Sequence, residues 1–168
     1  MSNTRLVDGA LRGVFTLNGT LDWRGGFLGG DADFAMTIPA GASLVIGGTG
    51  YKSLRTTGAF TTVITNSGTI TFAGPSGFQS GGMPSIANTA SGLIDLASDT
   101  GIQSGGNLAL SNAGTLRKSA GGGTSYLQAV ALSNTGVVSA QAGTLSIDPG
   151  YVQTSGKSEL VGGNLSAP

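Results

Sequence analysis

The sequence predicts an all-β protein, a solenoid whose short parallel strands stack coil upon coil. Three observations predict it. One phrase recurs at a near-constant interval, apolar residues alternate with period two, and glycines punctuate short apolar runs. The recurrent phrases are ITNSGTITF (64–72), IANTASGLIDL (86–96), LSNAGTLRK (110–118) and LSNTGVVSA (132–140). Asn66, Asn88, Asn112 and Asn134 mark them at spacings of 22, 24 and 22 residues. A repeat this short cannot bury its own apolar face, so neighbouring repeats must cover it.

Each phrase reads as two strands around a bend. Ile64, Ile86, Leu110 and Leu132 stand two residues before the asparagines, and Thr62, Pro84, Leu108 and Val130 four before. Two residues after Gly68, Gly92, Gly114 and Gly136 come Ile70, Ile94, Leu116 and Val138. Phe72, Leu96, Lys118 and Ala140 follow at four. Period-two alternation is the strand pattern. A helix would need apolar residues three and four apart, and each glycine would cost it about 1 kcal/mol. The Asn-x-Gly bend is expected to use positive φ. The four asparagines are expected to point inward and to form a structural ladder of side-chain amides.

A second strand type is expected between the bends. Ala42–Gly48 matches Gly143–Asp148, and Gly19–Gly26 shows the same alternation with Leu21 and Trp23 inward. Leu44 lies one coil beyond Leu21. At roughly 20–24 residues per coil the chain makes about seven coils, one solenoid domain over residues 1–168, on the order of 35 Å long. Residues 24–33, 47–58 and 73–85 depart from the repeat and are expected to be inserted loops, the side of a solenoid where binding is usually found.

Composition narrows the function classes. Of 168 residues, 39% are hydrophobic but only 10% charged, so Ser, Thr, Asn and Gly must build the surface. Eight basic and eight acidic side chains balance, and no basic stripe marks a nucleic-acid face. Without cysteine or histidine, the chain has no disulfide, thiolate metal site or His-dependent triad. No apolar run approaches the ~18 residues of a membrane span, so membrane insertion is not expected. Met1–Arg5 is followed by no apolar stretch, so no signal peptide is expected here. The chain reads as a segment of a longer rod or as a stackable subunit.

The stretches LNGTLDWRGG (17–26), IPAGASLVIGG (38–48), ITNSGTITF (64–72), SNAGTLRKSAGGGTSYL (111–127), SNTGVVSAQAGTLSI (133–147) and YVQTSGKSELVGGNLS (151–166) resemble very large bacterial surface proteins. These are the autotransporter-passenger and filamentous-haemagglutinin-type repeat proteins. The resemblance covers most of the chain. It implies a right-handed parallel β-helix, an extended stalk or adhesin scaffold, and an extracellular or bacterial cell-surface location.

The acids are Asp8, Asp22, Asp31, Asp33, Asp95, Asp99, Asp148 and Glu159. Glycoside cleavage needs two carboxylates about 5–10 Å apart, and only Asp31 and Asp33 are close in sequence. Gly29–Phe34 faintly matches a calcium nonapeptide, but as a single copy it reads as a surface turn. No catalytic, metal or cofactor site is expected, and the chain is read as a non-enzyme. An ice-binding solenoid would carry Thr-x-Thr at each coil. Thr69-Ile70-Thr71 is answered only by Leu93/Asp95, Thr115/Arg117 and Val137/Ser139. Trp23, Tyr51, Phe78, Tyr126 and Tyr151 are candidates for stacking on a sugar, with Trp23 assigned to the core. Lys118 stands where its counterparts are apolar and is expected to snorkel outward.

The expected function is thus a rigid structural rod or self-associating filament unit. Its partners would be a second copy end to end, or flanking repeats. The alternatives are a carbohydrate-binding or carbohydrate-cleaving module with a surface glycan as partner, and an ice-binding solenoid.

Overall fold

A computed structural model describes residues 1–167. It is an all-β solenoid of parallel stacked coils, with no helix among the described residues. Each complete coil carries three strands, one on each of three faces.

The first face stacks Thr4–Leu6, Thr20–Trp23, Ser43–Ile46, Thr69–Phe72, Leu93–Leu96, Thr115–Lys118, Val137–Ala140 and Lys157–Leu160 into one eight-stranded parallel sheet. Eight strands bound about seven coils. The second face runs through Ala10–Leu11, Gly26–Gly30, Lys52–Thr56, Phe78–Gly81 and Ile102–Gln103. The third runs through Gly13–Thr16, Phe34–Ile38, Thr62–Asn66, Ser85–Asn88 and Leu108–Asn112. Two long strands, Thr124–Asn134 and Thr144–Gln153, turn the corner from the second face to the third without a break.

Register follows side-chain chemistry. On the first face Leu21 pairs with Leu44, Leu44 with Ile70, Ile70 with Ile94, Ile94 with Leu116 and Leu116 with Val138. All six are buried. Since side chains alternate across a strand, a one-residue slip would turn this whole column outward, so burial fixes the pairing. Within the core Trp23 and Phe72 pack against Phe78, their ring centroids 5.5 and 5.7 Å from its own.

Four expectations are corrected. Residues 24–33, 47–58 and 73–85 are not simple insertions, because each contributes a second-face strand: Gly26–Gly30, Lys52–Thr56 and Phe78–Gly81. Their inward positions hold Gly26, Lys52 and Ser80 as well as Leu28, Leu54 and Phe78, so the apolar alternation is broken while the backbone ladder continues. The supposed second strand type also dissolves. Ser43–Ile46 lies on the first face in register with Thr69–Phe72, whereas Thr144–Ile147 stacks on the second face over Thr124–Leu127. Coil length varies more than the phrase suggested, from 17 residues between the partners Thr4 and Leu21 to 28 between Phe34 and Thr62.

The fourth correction concerns the bends. Neither the four asparagines nor Gly68, Gly92, Gly114 and Gly136 have positive φ. The glycines are required by stacking instead. A Cβ on Gly68 would strike the carbonyls of Ala42 and Pro39, one on Gly114 those of Gly92 and Thr89, and one on Gly136 that of Gly114. The bends of successive coils lie too close for any side chain there.

Candidate functional site

The third face ends and the first begins at a corner where the four asparagines stack in register. All are buried. Asn66 Nδ2 donates to Asn88 Oδ1 at 2.7 Å, Asn88 Nδ2 to Asn112 Oδ1 at 2.6 Å, and Asn112 Nδ2 to Asn134 Oδ1 at 2.7 Å. The same Nδ2 atoms donate to the carbonyls of Leu93, Thr115 and Val137 in the next coil. One side chain per coil thus joins two faces and two coils. Below the ladder, Ile38 stands in register with Asn66 and offers no donor, so Asn66 Oδ1 is buried without a partner. Above it, Asn134 Nδ2 reaches Gly136 O at 3.3 Å and Tyr151 Oη at 3.4 Å, and Tyr151 Oη donates to Gln153 Oε1 at 2.6 Å. This column is structural, with no open face.

A second polar column fills the corner between the first and second faces. Lys118 does not snorkel outward but is fully buried. Its Nζ donates to Asp99 Oδ1 and Ala120 O at 2.8 Å, and to Ser125 Oγ at 3.2 Å. The ion pair and backbone oxygens offset the loss of water that a lone buried charge could not bear. Lys52, which the sequence did not single out, is also buried. Its Nζ meets only neutral oxygens: Gly50 O at 2.8 Å, Ser76 Oγ at 3.1 Å and, more distantly, Arg24 O and Gly48 O. Burial holds the Lys52 ammonium below the usual lysine range. Ser98 and Thr100 occupy this corner between the two lysines, donating to Phe72 O and Gly74 O.

The acids are taken up singly. Asp22 binds Arg5 and Arg24, Asp31 binds Arg12, Asp95 binds Arg117, and Glu159 binds Lys157. Burial alone would raise the Asp22 carboxyl, but hydrogen bonds from Arg24 and Arg5 outweigh it and hold it below its ordinary value. Asp33 is lowered by the backbone N–H and hydroxyl of Thr61. Asp99 is lowered chiefly by the hydrogen bond from Lys118. Asp8 accepts from Gly9 N. Asp31 and Asp33 therefore serve two different structural contacts, and Asp95 and Asp99 bind separate cations. No three of Asp, Glu, Cys or His come together to hold a metal ion among the described residues.

Of the five aromatic candidates, Trp23 and Phe78 are core. Tyr151 closes the asparagine ladder. Tyr51 and Tyr126 face solvent, 60% and 49% exposed. They share one outward column of the second face, in which Gly77 and Gly101 occupy the two coils between them. Beside that column runs a second, Gln79, Gln103 and Gln128. The result is a trough made of two adjoining depressions of about 260 and 220 Å³, which share Ser76, Gly77 and Gln103. The sequence could not reveal it, because its floor is two glycines inside stretches that look like loops.

No protein-family model, curated protein or solved structure matches the chain.

Proposed function

We propose that this chain is a structural segment, a rigid rod that extends or displays another part of an extracellular bacterial surface protein of the adhesin-like kind. The observation that supports the reading most directly is the unbroken first-face sheet of eight strands, tied to the third face by the asparagine ladder. A solenoid held this way has no hinge between coils and resists bending along its axis. The reading is non-catalytic. A glycosidase needs two facing carboxylates free to act on one bond, whereas seven of the eight acids here are bound by a cation, a hydroxyl or a backbone N–H.

The rod reading includes stacking at the ends. Thr4–Leu6 and Lys157–Leu160 close the first-face sheet, each with one neighbour, and leave a free backbone edge. Leu160 stands inward above Ala140 yet is 62% exposed, so the core is open at that end. Another coil fits there, from flanking repeats or from a second copy. Sedimentation velocity over a hundredfold concentration range tests this. The expected result is an elongated monomer that gives way to longer end-to-end species. A compact monomer at every concentration would overturn it.

A further inference from the structure

We propose that the trough between Tyr51 and Tyr126 is a binding site for a short, neutral, linear oligosaccharide. The inference does not rest on the rod reading, and the sedimentation result leaves it untouched.

The two rings stand three coils apart in one column, about 14 Å at ~4.8 Å per coil. Between them nothing rises from the sheet. The Cβ of any residue other than glycine at position 77 would strike Gly101 O, and at position 101 it would strike Tyr126 O. Two aromatic faces with a bare floor between them form a platform for apolar ring faces, which pyranoses present through their C–H groups.

The wall supplies the polar half. Gln79 is fixed in place: its Oε1 accepts from Tyr51 Oη at 2.5 Å and its Nε2 donates to Ser104 O at 3.2 Å. Tyr51 is braced from behind by Phe27, edge to face at 6.0 Å, and Phe27 carries Arg55 over its own ring at 3.8 Å. Gln128 Oε1 accepts weakly from Ser104 N at 3.4 Å, leaving its NH2 group to solvent. Gln103, between them, is exposed, and its amide makes no hydrogen bond to the described residues. Inside the solenoid, stacked amides bind one another, as the asparagines do. These three outward glutamines do not, and the Gln103 amide and the Gln128 NH2, one coil apart, remain free for hydroxyls on neighbouring rings.

Charge selects a neutral ligand. The only carboxylate on the trough, Asp99, is held by Lys118, and the ammonium of Lys52 beneath the Tyr51 end is turned onto Gly50 O and Ser76 Oγ. The backbone of this face is consumed by the parallel ladder, so an extended peptide has no strand edge to pair with here.

Isothermal titration of the intact chain with cellopentaose, xylopentaose, mannopentaose and chitopentaose, and with pentagalacturonate as the anionic comparison, is the test. At least one neutral pentamer is expected to bind with a Kd below about 1 mM. Tyr51→Ala and Tyr126→Ala should each weaken it about tenfold, the loss of one ring contact. Gln103→Arg, which fills the trough, should abolish it, and Ser133→Ala on the third face should leave it unchanged. All four positions are at the surface, and circular dichroism confirms the fold of each variant. Absence of binding by every neutral pentamer, tighter binding of pentagalacturonate, or affinity insensitive to both tyrosine variants overturns the proposal.

Discussion

The two polar corners of this solenoid solve one problem in opposite ways. At the third-to-first corner every coil from Asn66 to Asn134 presents the same residue, and each amide satisfies the next. At the first-to-second corner successive coils present Lys52, Ser76, Ser98 with Thr100, and Lys118 with Ser125, and each finds a different set of oxygens. Identity lets a column satisfy itself, so deleting one member harms two. A mixed column is satisfied by whatever oxygens its own coil and the adjoining one supply, so the cost of losing a member differs from coil to coil.

The largest effect should therefore come from the middle of the ladder. Asn112→Ala removes the acceptor of Asn88 Nδ2 and the donor to Asn134 Oδ1, and it leaves a small void. Two buried groups left wanting at ~1–3 kcal/mol each predict a loss of about 3 kcal/mol. Both variants also free one carbonyl of the next coil, Leu93 or Val137, but within the ladder Asn66→Ala strands only Asn88 Oδ1 and removes the orphaned Asn66 Oδ1, so it should cost about 1 kcal/mol less than Asn112→Ala. Urea denaturation of both variants measures the gap. Equal losses would show that the asparagines act independently, against the ladder.

At the mixed corner the two lysines should respond differently. Lys52→Met removes a buried charge that no carboxylate balances, and methionine matches the length of its aliphatic stem. The expected change lies between zero and a gain of about 2 kcal/mol. Lys118→Met loses the Asp99 ion pair and should destabilise by about 1 kcal/mol. The denaturation midpoints of the two variants should move apart. Parallel losses would mean that Lys52 is as well compensated as Lys118.

The same contrast explains what could be read from the chain. The asparagine corner was legible because identical residues at an inward position leave a spacing in the sequence. The first and third faces were legible because Ile64, Ile70, Ile86 and Ile94 alternate cleanly. The second face was not. With Gly26, Lys52 and Ser80 inward, its strands lack the apolar period, and backbone pairing alone carries them. The burial of Lys118 is illegible for a related reason: a buried charge is too costly alone, and Asp99 and Ala120 O, which compensate it, approach through the corner. Nothing in a linear reading brings Tyr51 and Tyr126 together, because 75 residues separate them and two glycine-rich runs lie between.

The smallest effects are in pH dependence, where the corner's two charges act at opposite ends of the scale. The folded Asp99 carboxyl holds its proton less tightly than the ordinary value of 3.8, so the unfolded chain takes up protons first as the pH falls. The stability Asp99 contributes is complete above 3.8 and is lost as the pH drops through the lowered folded value, and Asp22 and Asp33 behave alike. Lys52 runs the other way. Its folded pKa lies below 10.5, so between the two values the unfolded chain carries more protons and stability rises with pH. Urea midpoints of the native chain should fall below about pH 4 and rise toward about pH 10. Taking the difference between the native chain and Lys52→Met isolates the contribution of Lys52. That difference should shrink on the alkaline side alone, because only there does the native chain shed the burden that methionine never carried. A difference that stays constant from neutral to alkaline pH would mean that Lys52 is as well hydrated in the folded chain as in the unfolded one, and the mixed corner would then be wet.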